Sequence, residues 1–218
     1  MKVLVFDTET TGLVPKNESF YNTTKWPHIL QMSFVVYDIK NKKILDSKNH
    51  IIKVSKKVQI PKESTDVHGI DREKSEMFGI DINEALNDLR EAIKESDLIV
   101  AHNISFDKRI VIVESIRNKK SSLFIVKGKH KPEYCSMKNS IDICKIKRTW
   151  ESGEIYFKFP SLLELHKHIF DETPNNLHDA MTDVLVCLRC YCYLKHNFDP
   201  RYIGCREYKK QINKLISE

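Results

Sequence analysis

Asp7 and Glu9 stand two residues apart in Phe6-Asp7-Thr8-Glu9-Thr10-Thr11-Gly12-Leu13, directly after the apolar run Val3-Leu4-Val5-Phe6. On a β-strand that spacing points both carboxylates to one face. About 4 Å apart, two such charges repel by on the order of 4 kcal/mol at an effective dielectric of 20, so a fold that holds them close calls for a cation. Two acids alone have a plainer reading, as solvated groups where a strand ends. A third carboxylate, Asp107, falls in Ala101-His102-Asn103-Ile104-Ser105-Phe106-Asp107, on the first turn of an expected helix. There it could simply partner the helix dipole. The last segment is His178-Asp179-Ala180-Met181-Thr182-Asp183, with a histidine at a helix entrance and an acid about a turn and a half inside. A histidine in that place is, by itself, more often structural than catalytic.

Four carboxylates without a cysteine among them are hard oxygen ligands, suited to Mg²⁺ or Mn²⁺ and poorly suited to structural zinc. His178 is the one side chain of the set whose ordinary pKa lies near neutrality, so it is the candidate to take a proton from water.

The elements that must position these groups can be read from periodicity. Residues 2–7 form an apolar strand, and Leu30–Asp38 and Ile44–Val54 form a hairpin across the polar turn Lys40-Asn41-Lys42-Lys43. A helix follows in which Asp81 caps and Glu84 can close a capping box, with Ile82, Ala85, Leu86, Leu89 and Ile93 on one face. Leu98–Ala101 reads as a short buried strand leading into a helix capped by Ser105 and ending near Arg117. Ser161 and Glu164 repeat the capping-box pattern ahead of Leu162, Leu163, Leu165 and Ile169, and a last long helix spans about Asp179 to Leu194.

The chain has 218 residues and is 41% hydrophobic, enough for one sizeable core, and the expectation is a single unit over 1–218. No apolar run approaches the roughly 18 residues of a membrane span, and the first acid, Asp7, comes too early for a signal peptide. A soluble, intracellular protein of cytoplasm or nucleus is expected. Six cysteines in such a chain are expected to be free thiols, and Cys187, Cys190 and Cys192 lie in an apolar helical stretch that reads as core. The formal charge of +6 is unevenly spread: ten Lys or Arg against two acids, Glu133 and Asp142, fall between Arg117 and Arg148. That stretch reads as a basic insertion over about 117–160, and the residues after His196 as a C-terminal tail over about 196–218.

In order and spacing, the three acidic segments resemble the signature of the DEDDh 3′→5′ exonucleases, the family of the proofreading subunit of bacterial replicative polymerase and of the animal three-prime repair exonucleases. Weaker features resemble it too: Lys25-Trp26-Pro27-His28-Ile29-Leu30-Gln31 ahead of the second strand, and the loop Val67-His68-Gly69-Ile70. Roughly the first 195 residues are covered. The resemblance implies an α/β fold, a ribonuclease H-like mixed sheet flanked by helices. It implies a hydrolase that uses two divalent ions: Asp7, Glu9 and Asp183 hold one, Asp7 and Asp107 the other, and His178 is the general base. It also implies that Thr10, Thr11, Gly12 and Leu13 line the terminal nucleotide, with Leu13 as a wedge between the last two bases, and that His68, His102, Asn103 and Phe106 contact substrate.

On that footing the basic stretch gains a purpose, since a flanking positive patch leads a phosphate backbone to an acidic site, with Lys127, Lys129 and Lys131 as the guiding residues. The expected substrate is DNA with a single-stranded, frayed or mismatched 3′ end, in proofreading or repair. An exoribonuclease trimming RNA or short oligoribonucleotides would use the same five residues. A nucleic-acid binding module that has lost activity is the reading of another class, and the intact set of like charges speaks against it. No polymerase or clamp-binding motif is recognisable, and the sequence assigns no protein partner or oligomeric state.

Overall fold

The computed structural model describes residues 1–216. In chain order the strands are β1 (Lys2–Thr10), β2 (Ile29–Asp38), β3 (Lys43–Ile51), β4 (Leu98–Ala101), β5 (Ile125–Val126), β6 (Lys129–His130), β7 (Glu133–Cys135), β8 (Lys147–Thr149) and β9 (Ile155–Phe157). The helices are α1 (Lys62–His68), α2 (Arg72–Phe78), α3 (Ile82–Glu95), α4 (Ile104–Arg117), α5 (Ile141–Cys144), α6 (Leu162–Phe170), α7 (Ala180–His196), α8 (Pro200–Ile203) and α9 (Arg206–Ile216). Five strands form one sheet in the order β3-β2-β1-β4-β7. The β1–β2 and β2–β3 pairs are antiparallel, and the β1–β4 and β4–β7 pairs parallel.

The period of two along β1 divides the core. Leu4 and Phe6 pack into a cluster with Leu86, Leu89 and Ile93 of α3 and Ile110 and Val111 of α4. Val3 and Val5 pack on the other face with Val184, Leu188 and Tyr191 of α7 and with Leu165 of α6. Continued by two residues each way, the same alternation sends Asp7 and Glu9 toward the α7 layer and Thr8 toward α4. β1 runs three residues past the expected end because Thr8, Glu9 and Thr10 keep pairing with Met32, Gln31 and Ile29, with an irregularity between Glu9 and Thr10. Both acids therefore sit inside a hydrogen-bonded ladder.

Cap chemistry follows the sequence reading in two places and departs from it in two. Asp81 caps α3, but its side chain accepts from the Asn83 N–H, so the expected box with Glu84 gives way to a tighter turn. Ser161 and Glu164 form the full reciprocal box on α6. α4 starts one residue before the expected Ser105 cap: Asn103 is the N-cap, in the left-handed region at φ 64, which asparagine tolerates better than most residues. Two seven-residue helices, α1 and α2, occupy the stretch between β3 and α3 that the sequence reading left without elements.

The stretch expected to be one basic insertion is several things. β5 and β6 make a minimal hairpin whose turn residues Lys127 and Gly128 both have positive φ, 51 and 75. β7 joins the main sheet beside β4, and β8 and β9 form a second hairpin that leads into α6. Strands of two or three residues are too short to show a period in the sequence. The expected tail also folds inward. Tyr208 of α9 is fully buried and donates to the Leu185 carbonyl at 2.8 Å, and Ile212 lies in the same core; residues 217 and 218 lie outside the described residues. Cys187, Cys190 and Cys192 are buried free thiols. No described helix is long and apolar enough to cross a membrane.

Candidate functional site

Three elements meet at the carboxyl end of the parallel strands. Asp7 and Glu9 come from β1, Asp107 from the first turn of α4, and Asp183 from the first turn of α7. Together with His178, Asn103, His102 and Phe106 they line a cleft of about 470 Å³, closed on the far side by Lys158, Phe159, Pro160 and Ser161. An adjoining and mostly apolar recess of about 360 Å³ is lined by Thr10, Thr11, Gly12 and Leu13, by Val67 and His68 of α1, and by Phe106. Thr8, Glu9 and Phe106 line both spaces and so form the partition.

The acids strain one another. Burial, then the neighbouring charges of Asp107, Asp183, Glu9 and Asp179, holds the Asp7 carboxyl well above the usual range. Burial first, and Asp183, Asp107 and Asp179 after it, push Glu9 up to about 8. Asp107 and Asp183 are both pushed up to about 7, mainly by burial. A carboxylate oxygen of Glu9, one of Asp183 and a ring nitrogen of His178 all lie within 4.8 Å of one another, the spacing a shared cation would need. The Asp183 Oδ2 accepts from the His178 N–H at 3.3 Å, whereas its Oδ1 is buried with no hydrogen-bond partner. An unsatisfied buried carboxylate oxygen costs free energy that a bound cation removes. The residues present thus fit a divalent ion.

Residues to which the sequence assigned no part in the site hold this arrangement. Thr8, 5% exposed, donates both its N–H and its hydroxyl to Asp107 Oδ1. Gln31 of β2 reaches across to the start of α7: its Nε2 donates to Asp179 Oδ2 at 2.8 Å and its Oε1 accepts from Ala180 N–H at 3.2 Å. Asp179 in turn caps α7 by accepting from Thr182 N–H. That bracket positions His178, which is exposed and adopts φ 73 just before the helix. Farther along α7, the buried Arg189 binds Asp199 and Glu172 and so anchors the loop that follows α6 and carries His178. A polar residue in a strand interior, such as Gln31, is the signal that could have singled it out.

Several expected substrate contacts have other partners. The His102 Nε2–H donates to the Pro160 carbonyl at 3.1 Å and its Nδ1 accepts from the Ser136 hydroxyl at 2.9 Å, with its pKa pushed down to about 4 by burial. Both nitrogens are taken, so this neutral ring ties the Lys158–Ser161 wall to β4. His68 does the same for the recess: Nε2–H donates to the Thr10 carbonyl and Nδ1 accepts from Ile70 N–H, and burial lowers its pKa. Thr11 accepts from His28 N–H, and the Thr10 hydroxyl donates to the Gly12 carbonyl, which fixes the loop beneath Leu13. Leu13 itself is 86% exposed and belongs to neither core.

Of the lysines expected to guide the strand, Lys131 lies elsewhere. β7 runs parallel to β4 with Glu133 opposite Ile99, so Lys131 sits at the amino end of the edge strand, where its ammonium donates to the carbonyls of Lys94 and Ser96. Lys127 and Lys129 belong to the β5–β6 hairpin just before it. Arg117 is spent on structure, binding Glu114 and the carbonyls of Thr23, Trp26 and Pro27. The cation that lines the cleft is Lys158, paired with Glu164 at 2.6 Å.

A model of the exonuclease family RNase_T matches residues 4–191. Among solved structures, the chain is similar to Exonuclease I of E. coli in complex with a dA16 oligonucleotide, with TM-score 0.64 and 13% identity over 90% of this chain and 41% of that one. It is similar to a moderately thermophilic Exonuclease I from Methylocaldum szegediense, with TM-score 0.61 and 14% identity over 90% of this chain and 41% of that one. It is similar as well to the zinc ion bound form of the E. coli Exonuclease I complex with single-stranded DNA, with TM-score 0.65 and 14% identity over 89% of this chain and 41% of that one. At such identities the likeness is one of fold, and the mixed sheet is that ribonuclease H-like exonuclease fold. The chain spans about two fifths of the length of these proteins. No curated protein matches it.

Proposed function

This chain belongs to the RNase_T exonuclease family, and on that premise we propose that it hydrolyses phosphodiester bonds from the 3′ end of a DNA strand, single-stranded or frayed, releasing nucleoside monophosphates. In this reading it is of the DEDDh kind, with His178 as the histidine. The observation that carries the proposal is Asp183 Oδ1, a buried carboxylate oxygen with no donor, set among acids whose pKa values are all raised.

Asp7, Glu9 and Asp183 would hold one divalent cation and Asp7 with Asp107 a second, Mg²⁺ or Mn²⁺ by the hardness of the ligands. Bound there, such ions supply Lewis-acid stabilisation of charge on the attacking and leaving oxygens of an in-line displacement at phosphorus. His178, exposed beside Glu9 and Asp183, takes the proton of the attacking water. Phe106 and Leu13 give the terminal nucleotide apolar surface without reading its base, which suits removal of any nucleotide. Exonuclease I of E. coli, whose fold this chain shares, has been captured with dA16 and with single-stranded DNA, which favours DNA over RNA as substrate.

The deciding experiment is degradation of end-labelled single-stranded DNA, of duplex with a mismatched 3′ end, and of RNA, each with Mg²⁺, Mn²⁺ or EDTA. Mononucleotide release from DNA 3′ ends that stops in EDTA is the expected result. Release that survives the chelator would end the metal assignment, and faster loss of RNA would transfer the activity to that substrate.

A further inference from the structure

The β8–β9 hairpin carries an aromatic pair that neither core uses. Trp150, 56% exposed, stacks on Tyr156 with ring centroids 4.1 Å apart and an interplanar angle of 21°. The hairpin ladder extends beyond its two strands, because Trp150 N–H donates to the Glu154 carbonyl and Lys158 N–H to the Ile146 carbonyl. Gly153, at φ 87, makes the turn. Arg148 pairs with Tyr156 in this ladder. Cross-strand partners share a side and alternate residues return to it, so Arg148, Trp150, Tyr156 and Lys158 form one file on one side of the hairpin, with Glu154 at its tip end. The inner end of that file is Lys158, which lines the acidic cleft together with Phe159 and Pro160.

Flat aromatic surface interleaved with cations, and continuous with a cleft, is what a single strand of nucleic acid requires: bases stack on rings and phosphates pair with Arg and Lys. Of the hairpin's acids, Glu151 sits at the tip, and Glu154 lies directly opposite Trp150, beyond Tyr156 from the cleft. Tyr156 lies two residues from Lys158, roughly 7 Å of strand, so the stack borders the cleft mouth.

We propose that the β8–β9 hairpin is a binding platform for the bases immediately 5′ of the scissile nucleotide, with Trp150 and Tyr156 as the stacking surface and Arg148 as a phosphate partner. This rests on the exonuclease reading for the direction of the strand, but the stacking contact itself can be measured without turnover. Trp26 is buried, so Trp150 is the exposed one of the two tryptophans and reports directly.

The test uses the full chain. Titration with dT12 or rU12 in EDTA should quench the tryptophan fluorescence, and Arg148→Gln should reduce the slope of log affinity against log salt by about 0.7. With Mg²⁺ and dT12 as substrate, Trp150→Ala and Tyr156→Ala should each raise KM about tenfold at unchanged kcat. Turnover of the p-nitrophenyl ester of thymidine 5′-monophosphate, which has no base 5′ of the scissile bond, should not change. Trp150→Phe should restore most of the affinity, which separates a lost stacking surface from a damaged fold. Hydrolysis by the wild type with no quench, and wild-type KM in both alanine variants, would overturn the platform while leaving the exonuclease. Quenching without any hydrolysis would leave the platform and overturn the exonuclease.

Discussion

Thr8 donates twice to a single oxygen of Asp107, through its backbone N–H at 3.0 Å and its hydroxyl at 2.8 Å. The contact joins β1 to α4 across 99 residues of chain, and it orients the one acid of the cluster that comes from neither β1 nor α7. Partners that orient metal ligands typically matter 10–100-fold in affinity. Thr8→Val keeps the shape and the backbone donor but removes the hydroxyl, so Mn²⁺ affinity measured by calorimetry should fall about tenfold or more. An unchanged affinity would mean that Asp107 is oriented by something else.

The raised pKa values carry a pH dependence whose sign is opposite to that of ordinary ion-paired carboxylates. A carboxyl whose pKa is higher in the folded protein than in the unfolded chain favours folding at low pH, and that contribution is lost as pH rises through the folded value. Asp107 and Asp183 shift from 3.8 to about 7, and Glu9 from 4.5 to about 8. The metal-free protein should therefore lose thermal stability between about pH 4 and pH 8. Mg²⁺ should restore it at the upper end of that window. Thermal unfolding in EDTA and in Mg²⁺ across the range checks this, and a metal-free Tm that climbs from pH 5 to pH 8 would contradict it.

Asp183→Asn separates stability from activity. It removes a like charge from a buried cluster and supplies an N–H₂ in place of one acceptor, so the metal-free variant should unfold at a higher temperature than wild type at pH 8. Turnover should drop to background because a cation ligand is gone. A variant less stable in EDTA would show that the repulsion inferred from the cluster is already relieved.

His178→Ala should reduce turnover about 10²–10⁴-fold while Mn²⁺ still binds, the pattern of a lost general base. Since a His178 ring nitrogen also lies within reach of the Glu9 and Asp183 carboxylates, calorimetry beside kinetics decides between base and ligand. Lost Mn²⁺ binding in this variant would make it a ligand.

Leu13 is a surface residue with nothing of the fold resting on it. Leu13→Ala should leave Tm unchanged and raise KM for DNA ends about tenfold, the order expected when one leucine's buried apolar surface is lost from a complex. Equal KM values would retire the wedge.

The local chemistry was legible in the chain. Asp7 and Glu9 two apart on a strand and Asp107 in the first turn of a helix stand where their segments predict, and Asp183 stands in the first turn of α7, a little nearer its start than the expected turn and a half, because strand and helix periods are set by neighbours in sequence. The Ser161–Glu164 box was equally local. What failed was charge read as a patch. Lys131 and Arg117 are close in sequence to the site's elements, yet the parallel pairing of β7 with β4 carries Lys131 to the other end of the sheet, onto the Lys94 and Ser96 carbonyls, and Arg117 turns inward onto backbone carbonyls. A count of charges has no direction.

The sequence by itself determined which residues are acids, their spacing on each element, and hence that a strand and two helices each present carboxylates near an end. Only the tertiary structure decided that these ends coincide, that Thr8 and Gln31 brace them, and that His102 and His68 spend both ring nitrogens on the scaffold. The physical reason is range. Periodicity and capping act over a few residues and are written in the chain, whereas convergence depends on which strands pair and which core face each helix covers, and those are settled by packing between residues a hundred or more positions apart.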